Sequence, residues 1–143
     1  MSIYADTSFL VSLYAPDSNS AAATEFMRAA LLPLILTPLG DLEMFNAFQL
    51  RIFRRELRPA EVKSALSIFR GDLESGILSL KSFPPSVFDR AKALARGRSA
   101  SFGTRSLDVL HVASALALGA DTLCTFDKQQ RLLAAAGGLA VPV

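Results

Sequence analysis

Short apolar runs, each bounded by turn-forming residues and separated by longer segments of helical period, constrain this chain more than any other feature. The runs are SIYAD, LPLILTP, GILSLKSF, DTLCTFD and GLAVPV. Each has the length and flanks of a buried strand. Pro142 takes a ladder donor from the last and demotes it to an edge. Between the runs, helical segments are predicted over about 7–14, 19–31, 40–57, 59–74, 85–97, 106–119 and 127–136. Pro59 suits a first helical position, while Gly119 and Gly137 follow periodic runs as stops. Strands that alternate with helices must be joined by right-handed crossovers, so the sheet should be mostly parallel and covered on both faces. The expected fold is therefore an α/β/α sandwich with about five strands. With 143 residues, 51% of them hydrophobic, and no internal repeat or long linker, one domain spanning 1–143 is expected.

Several function classes fall away on composition. The one cysteine, Cys124, lies in the apolar stretch TLCTF, which leaves no disulfide framework and no thiol metal site. A reducing, cytoplasmic setting fits best. The first basic residue is Arg28, unlike a signal peptide, and apolar runs such as VASALALGA fall far short of the roughly 18 residues that a membrane span needs. A soluble protein without membrane association is expected. Net charge is only +2, but residues 51–105 hold twelve Lys/Arg against five Asp/Glu, and the segments on either side are net acidic. Such a basic band suits a phosphate backbone, although solvated helix faces carry charge of this kind too.

In a parallel α/β sheet, ligands bind beyond the carboxyl ends of the strands. Four acids fall at such places. Asp6 ends the first strand, Asp127 ends the fourth, and Glu43 and Asp108 lie in the first turns of predicted helices. Asp127 could be a plain N-cap, with Gln130 completing a capping box, and the macrodipole alone favours Glu43 and Asp108 where they stand. Asp6 is harder to explain locally, since an unpaired charge beside a buried strand is costly. Asp108 poses the same problem on a helix that is apolar on nearly every side. No Lys or Arg is placed in sequence to neutralise all four, and clustered carboxylates repel unless a cation sits among them. Oxygen ligands without cysteine or a histidine pair select Mg²⁺, with Mn²⁺ as substitute, over zinc. Metal-assisted phosphodiester hydrolysis follows as the expected chemistry.

The segments YADTSFLVSLY, LGDLEMFNAF and RSLDVLHVASALALGADTLCTFDKQQRLLAAAGGLAV together resemble a PIN domain of the VapC-like kind found in type II toxin–antitoxin modules. The resemblance runs from residue 3 to residue 141 and implies a Rossmann-like sheet and a Mg²⁺-dependent endoribonuclease. It also implies a homodimer and a cognate antitoxin as partner. Carried over by position, the family's acidic quartet falls on Asp6, Glu43, Asp108 and Asp127, the same four residues. Thr7, Ser8, Asn46 and Thr125 take supporting places. Arg105, just before the Asp108 helix, could hold a scissile phosphate or pair with an acid. His111 is expected to be a hydrogen-bonded core residue rather than a catalyst. Asp6, Asp108 and Asp127 are thus expected to position one or two ions, Glu43 to complete the acidic shell, and the basic band to hold single-stranded or looped RNA. An aspartyl-phosphate phosphohydrolase would want a second aspartate where Ser8 stands. A PIN-fold RNA-binding module without catalysis would not need the quartet intact.

Overall fold

In the computed structural model, which describes residues 2–143, the strands are β1 (Ile3–Ala5), β2 (Leu34–Leu36), β3 (Leu78–Leu80) and β4 (Thr122–Cys124). They form one sheet in the order β3-β2-β1-β4, and every pairing is parallel. The helices are α1 (Thr7–Tyr14), α2 (Ser20–Ala29), α3 (Pro38–Phe53), α4 (Pro59–Ser75), α5 (Val87–Phe102), α6 (Ser106–Ala117) and α7 (Lys128–Ala136).

Alternation along the strands divides the core into two. Ile3, Ala5, Leu34, Leu36 and Cys124 point to one face and pack with Phe9, Met44, Phe48 and Phe69 from α1, α3 and α4. Tyr4, Ile35 and Leu123 point to the other, where α5, α6 and α7 bring Leu94, Val112 and Leu133. Phe48 is fully buried in the first cluster. Its loss to alanine should cost about 3–5 kcal/mol.

Among the described residues four strands form where about five were expected. The GLAVPV segment lies alongside β4 through one parallel bridge, Thr122 to Ala140. Leu123 N–H donates to the Ala140 carbonyl at 2.8 Å and Ala140 N–H to the Asp121 carbonyl at 2.9 Å. The next donor in the ladder would be the N–H of Pro142, which does not exist, so the ladder is broken there and only one further bond follows, from Thr125 N–H to the Val143 carbonyl at 2.9 Å. Two helices differ most from their expected bounds. α5 runs through Gly97 and ends at Gly103, whose φ of 65° supplies the left-handed stop. α3 begins two residues earlier than expected, at Pro38, and ends at Phe53, before Arg55 at φ 59°.

The connections place the site. β1 leads into α1 on one face of the sheet, while the neighbouring β4 leads into α7 on the other. Chains that leave adjacent strands toward opposite faces open a crevice between them.

Candidate active site

That crevice is a cleft of about 450 Å³ lined by Asp6, Glu43, Asp108 and Asp127 together with Thr7, Ser8, Arg105 and His111. It continues past Ser12 and Asp17 to Arg51 and Arg54. Each acid arrives from a different element: the end of β1, α3, the first turn of α6 and the start of α7.

Asp6 serves as N-cap of α1, its Oδ1 accepting from Phe9 N–H at 2.9 Å and from the Ser8 hydroxyl at 2.7 Å. Thr125 donates to Oδ2 in a short hydrogen bond. Asp6 is only 2% exposed. Burial pushes its carboxyl above the ordinary aspartate range, and the bonds from Thr125, Phe9 and Ser8 only moderate the shift. No arginine or lysine pairs with it among the described residues. Thr125 and Ser8 are themselves tied in: Asp127 N–H donates to Thr125 Oγ1 at 3.0 Å, and Phe126 N–H donates to Ser8 Oγ at 2.9 Å. A hydroxyl network thus locks the ends of β1 and β4 together.

Glu43 is held in another way. Its Oε1 accepts from the Thr7 hydroxyl at 2.8 Å and makes a short hydrogen bond with His111 Nε2. The other ring nitrogen of His111 meets the Tyr4 hydroxyl at 2.8 Å. Burial alone would raise the Glu43 pKa, but the bonds and charge of His111, helped by Thr7, hold its carboxyl below the ordinary range. His111 is buried and hydrogen-bonded, as expected of it, but it links Glu43 to the core at Tyr4. Tyr4 is buried completely, and its phenol is pushed well above the usual range by that burial.

Asp108 and Asp127 share a cation from within the chain. Arg105 donates to Asp108 Oδ2 from its backbone N–H at 3.2 Å and from Nε at 3.3 Å, and its Nη2 lies 3.7 Å from Asp127 Oδ2. The guanidinium is largely exposed. Asp127 caps α7 by accepting from Gln130 N–H at 2.9 Å.

The four acids line one cleft without closing on one point. Among the described residues no three histidine, cysteine, aspartate or glutamate side chains stand close enough to hold a single ion. Each carboxylate is instead turned to its own donors: Asp6 to hydroxyls, Glu43 to His111, Asp108 and Asp127 to Arg105. The donor chemistry still suits a hard divalent cation, since the cleft offers several carboxylates and no cysteine, its one histidine is already bonded to Glu43 and Tyr4, and no arginine or lysine pairs with Asp6 among the described residues. Mg²⁺ keeps several of its waters, and a hydrated ion suits carboxylates spread in this way. Asn46 is exposed on α3 and is not among the residues lining the cleft.

Residues outside the expected set also line the cleft, among them Asp17 and Arg51. Arg51 Nη2 donates to Asp17 Oδ2 at 3.1 Å, and Ser12 donates to the same oxygen at 2.8 Å. Gln130 lines it too, although the sequence suggests only a capping role there. The sole hint in sequence is that a polar residue occupies a helical position facing the core.

Among the described residues no helix is long and apolar enough to cross a membrane. Comparison with curated protein sequences gives no match. The fold is similar to that of VapC20 from Mycobacterium tuberculosis, a sarcin-ricin loop cleaving toxin, with a TM-score of 0.71 and 16% identity over 96% of this chain and 97% of that one. It is also similar to FitAcB from Neisseria gonorrhoeae, with a TM-score of 0.67 and 18% identity over 97% and 95%. VapBC2 from Rickettsia felis, solved bound to a DNA fragment from their promoter, gives a TM-score of 0.66 and 18% identity over 99% and 97%. The sequence profile of the PIN domain matches residues 3–136, so the chain belongs to the PIN domain family.

Proposed function

We propose that this protein is a divalent-cation-dependent endoribonuclease and the toxin of a toxin–antitoxin pair. The observation that carries the reading is that Asp6, Asp108 and Asp127, from three separate elements, line one cleft whose wall also holds Arg51, Arg54 and Arg105. Acid for a cation and base for a phosphate strand then lie side by side. Asp6, Asp108 and Asp127 would hold Mg²⁺, or Mn²⁺ in its place, with Glu43 in the surrounding shell. When bound, such an ion supplies a water of lowered pKa and a counter-charge for the phosphate.

The chain's own groups do the rest. Thr125 and Ser8 fix the Asp6 carboxylate, and Thr7 and His111 fix Glu43. Arg105, which holds Asp108 and Asp127 in the free chain and is largely exposed, would be the basic group best placed to bind the scissile phosphate. An open cleft suits single-stranded or looped RNA, and VapC20, named as cleaving the sarcin-ricin loop, supports that choice. Leu42, Phe45 and Phe53 are exposed along α3 and leave apolar surface for a cognate antitoxin, whose binding accompanies a homodimer in this reading.

The competing reading is a PIN-fold RNA-binding module without catalysis, favoured by the spacing of the carboxylates. Incubation of purified protein with mixed RNAs, in Mg²⁺ and in excess chelator, followed by sequencing of new ends, separates the two. Cleavage that needs the metal is expected. Full cleavage in chelator, or by both Asp6→Asn and Asp108→Asn, overturns the proposal. RNA affinity should also weaken steeply with salt, with a flatter slope in Arg54→Gln.

A further inference from the structure

Gln130 is 2% exposed yet lines the cleft. Its Nε2 and the hydroxyl of Ser114 are buried side-chain atoms that have no hydrogen-bond partner among the described residues. Ser114 is not among the cleft residues; Gln130 is. The capping box expected around α7 explains only half of Gln130. Its backbone N–H donates to Asp127 Oδ1, but the reciprocal bond, from Asp127 N–H to the glutamine side chain, is pre-empted because that N–H donates to Thr125 Oγ1 at 3.0 Å. The amide nitrogen is left with nothing to bind.

A buried amide without a partner weighs against the fold, and methionine would fill the same volume without that penalty. Gln130 lines the cleft, so a small rotation of its side chain would bring the buried Nε2 to a partner that arrives with the substrate. The chemistry of that wall narrows what the partner can be. Asp6, Asp108 and Asp127 line the same cleft, so a further anion such as a second phosphate is unwelcome beside them. A neutral group that both donates and accepts is welcome, and a carboxamide offers one edge of each kind. A half-turn of the amide exchanges the two edges. A hydroxyl is the smallest group to match.

We propose that Gln130 binds a ribose 2′-hydroxyl of the substrate strand and thereby biases the cleft toward RNA over DNA, an inference that rests on the ribonuclease reading above. The 2′-hydroxyl is the group by which a protein tells the two polymers apart at a given position. The test uses an RNA oligonucleotide that the wild-type protein cuts in Mg²⁺, and a series in which each 2′-hydroxyl in turn is replaced by hydrogen. Wild type should lose about tenfold in kcat/KM at one position near the cut, the worth of one good hydrogen bond. Gln130→Met should lose about as much on the all-RNA strand and show no further loss at that position. The same variant should melt at or above the wild-type temperature in chelator, where a structural role would lower it. Gln130→Leu, read in the same way, guards against a packing fault peculiar to methionine. A scan that is identical in wild type and both variants overturns the inference alone, as does a large fall in melting temperature in both. Failure of wild type to cut any RNA overturns the ribonuclease reading and this inference with it.

Discussion

Asp6 and Glu43 line the same cleft and are held in opposite ways. Asp6 accepts from Ser8, Thr125 and a backbone N–H, all neutral donors, and its burial drives its pKa upward. Glu43 accepts from His111, and its pKa is driven down. Glu43 is therefore held by a histidine within the chain, whereas no arginine or lysine pairs with Asp6 among the described residues. An acid of the first kind supports the free fold; one of the second kind weakens it until a cation arrives.

Replacement of Asp6 by asparagine should separate the two most sharply. Asp6→Asn should lower RNA cleavage by about 10²–10³-fold or more, the scale for removing an electrostatic group from a reacting centre. In chelator it should melt at or above wild type. The sign follows from the raised pKa: folded Asp6 holds its proton where unfolded aspartate has lost it. The relative stability this gives is fully present below the unfolded value of about 3.9 and is lost as pH rises through the folded one. The advantage of Asp6→Asn over wild type should accordingly grow with pH. A variant that melts well below wild type at neutral pH, yet still cleaves RNA, would make Asp6 a structural cap.

Mg²⁺ should sharpen the contrast. A ligand at a hundred times its dissociation constant stabilises the folded state by about 2.7 kcal/mol. Thermal melts at rising Mg²⁺ should show a gain of that kind in wild type, most of it lost in Asp6→Asn and most of it kept in Glu43→Gln. Equal loss in the two variants would show that both carboxylates hold the ion, and the division drawn between them would fail.

The difference between the two acids also marks what the sequence can reveal. Asp6, Asp108 and Asp127 were legible because each sits where a short apolar run or a turn meets a helix start, a local pattern. The parallel pairing of the strands follows from the same alternation, and only GLAVPV was overcounted, where the missing N–H of Pro142 breaks the ladder. Partners close in sequence, such as Arg105 beside Asp108 and Ser8 beside Asp6, were legible too, but the contacts that cross the fold were not. His111 meets Tyr4 across 107 positions and Glu43 across 68, and Thr125 meets Asp6 across 119. No spacing rule spans such gaps. Gln130 escaped for a related reason: its backbone fits a cap so well that only the hydroxyl of Thr125, already on Asp127, shows the side chain to be unused.

On the Glu43 side, His111→Leu should cost about 1–3 kcal/mol, because it leaves the Tyr4 hydroxyl and the Glu43 carboxylate without their main partner. Urea midpoints would measure this. The pH dependence runs opposite to that of Asp6. Glu43 has a lowered folded pKa, so its contribution is present above the unfolded glutamate value of about 4.3 and is lost as pH falls through the folded one. Glu43→Gln should accordingly converge on wild type as the solution is acidified. A constant gap between them down to pH 3 would mean that the His111 bond does not depend on the carboxylate's charge.

The smallest change in stability is expected at Asp127, and there it is the most informative. Asparagine caps a helix about as well as aspartate, so the bond from Gln130 N–H survives Asp127→Asn. The one charge interaction lost is with Arg105 Nη2 at 3.7 Å, and an exposed pair of that kind is worth about 0–1 kcal/mol. Melting in chelator should therefore shift little. If Asp127 belongs with Asp6 as an acid that waits for a cation, cleavage and Mg²⁺ stabilisation should both fall despite the unchanged fold. If both persist, Asp127 belongs with Glu43 among the acids satisfied within the chain, and the cation rests on Asp6 and Asp108 alone.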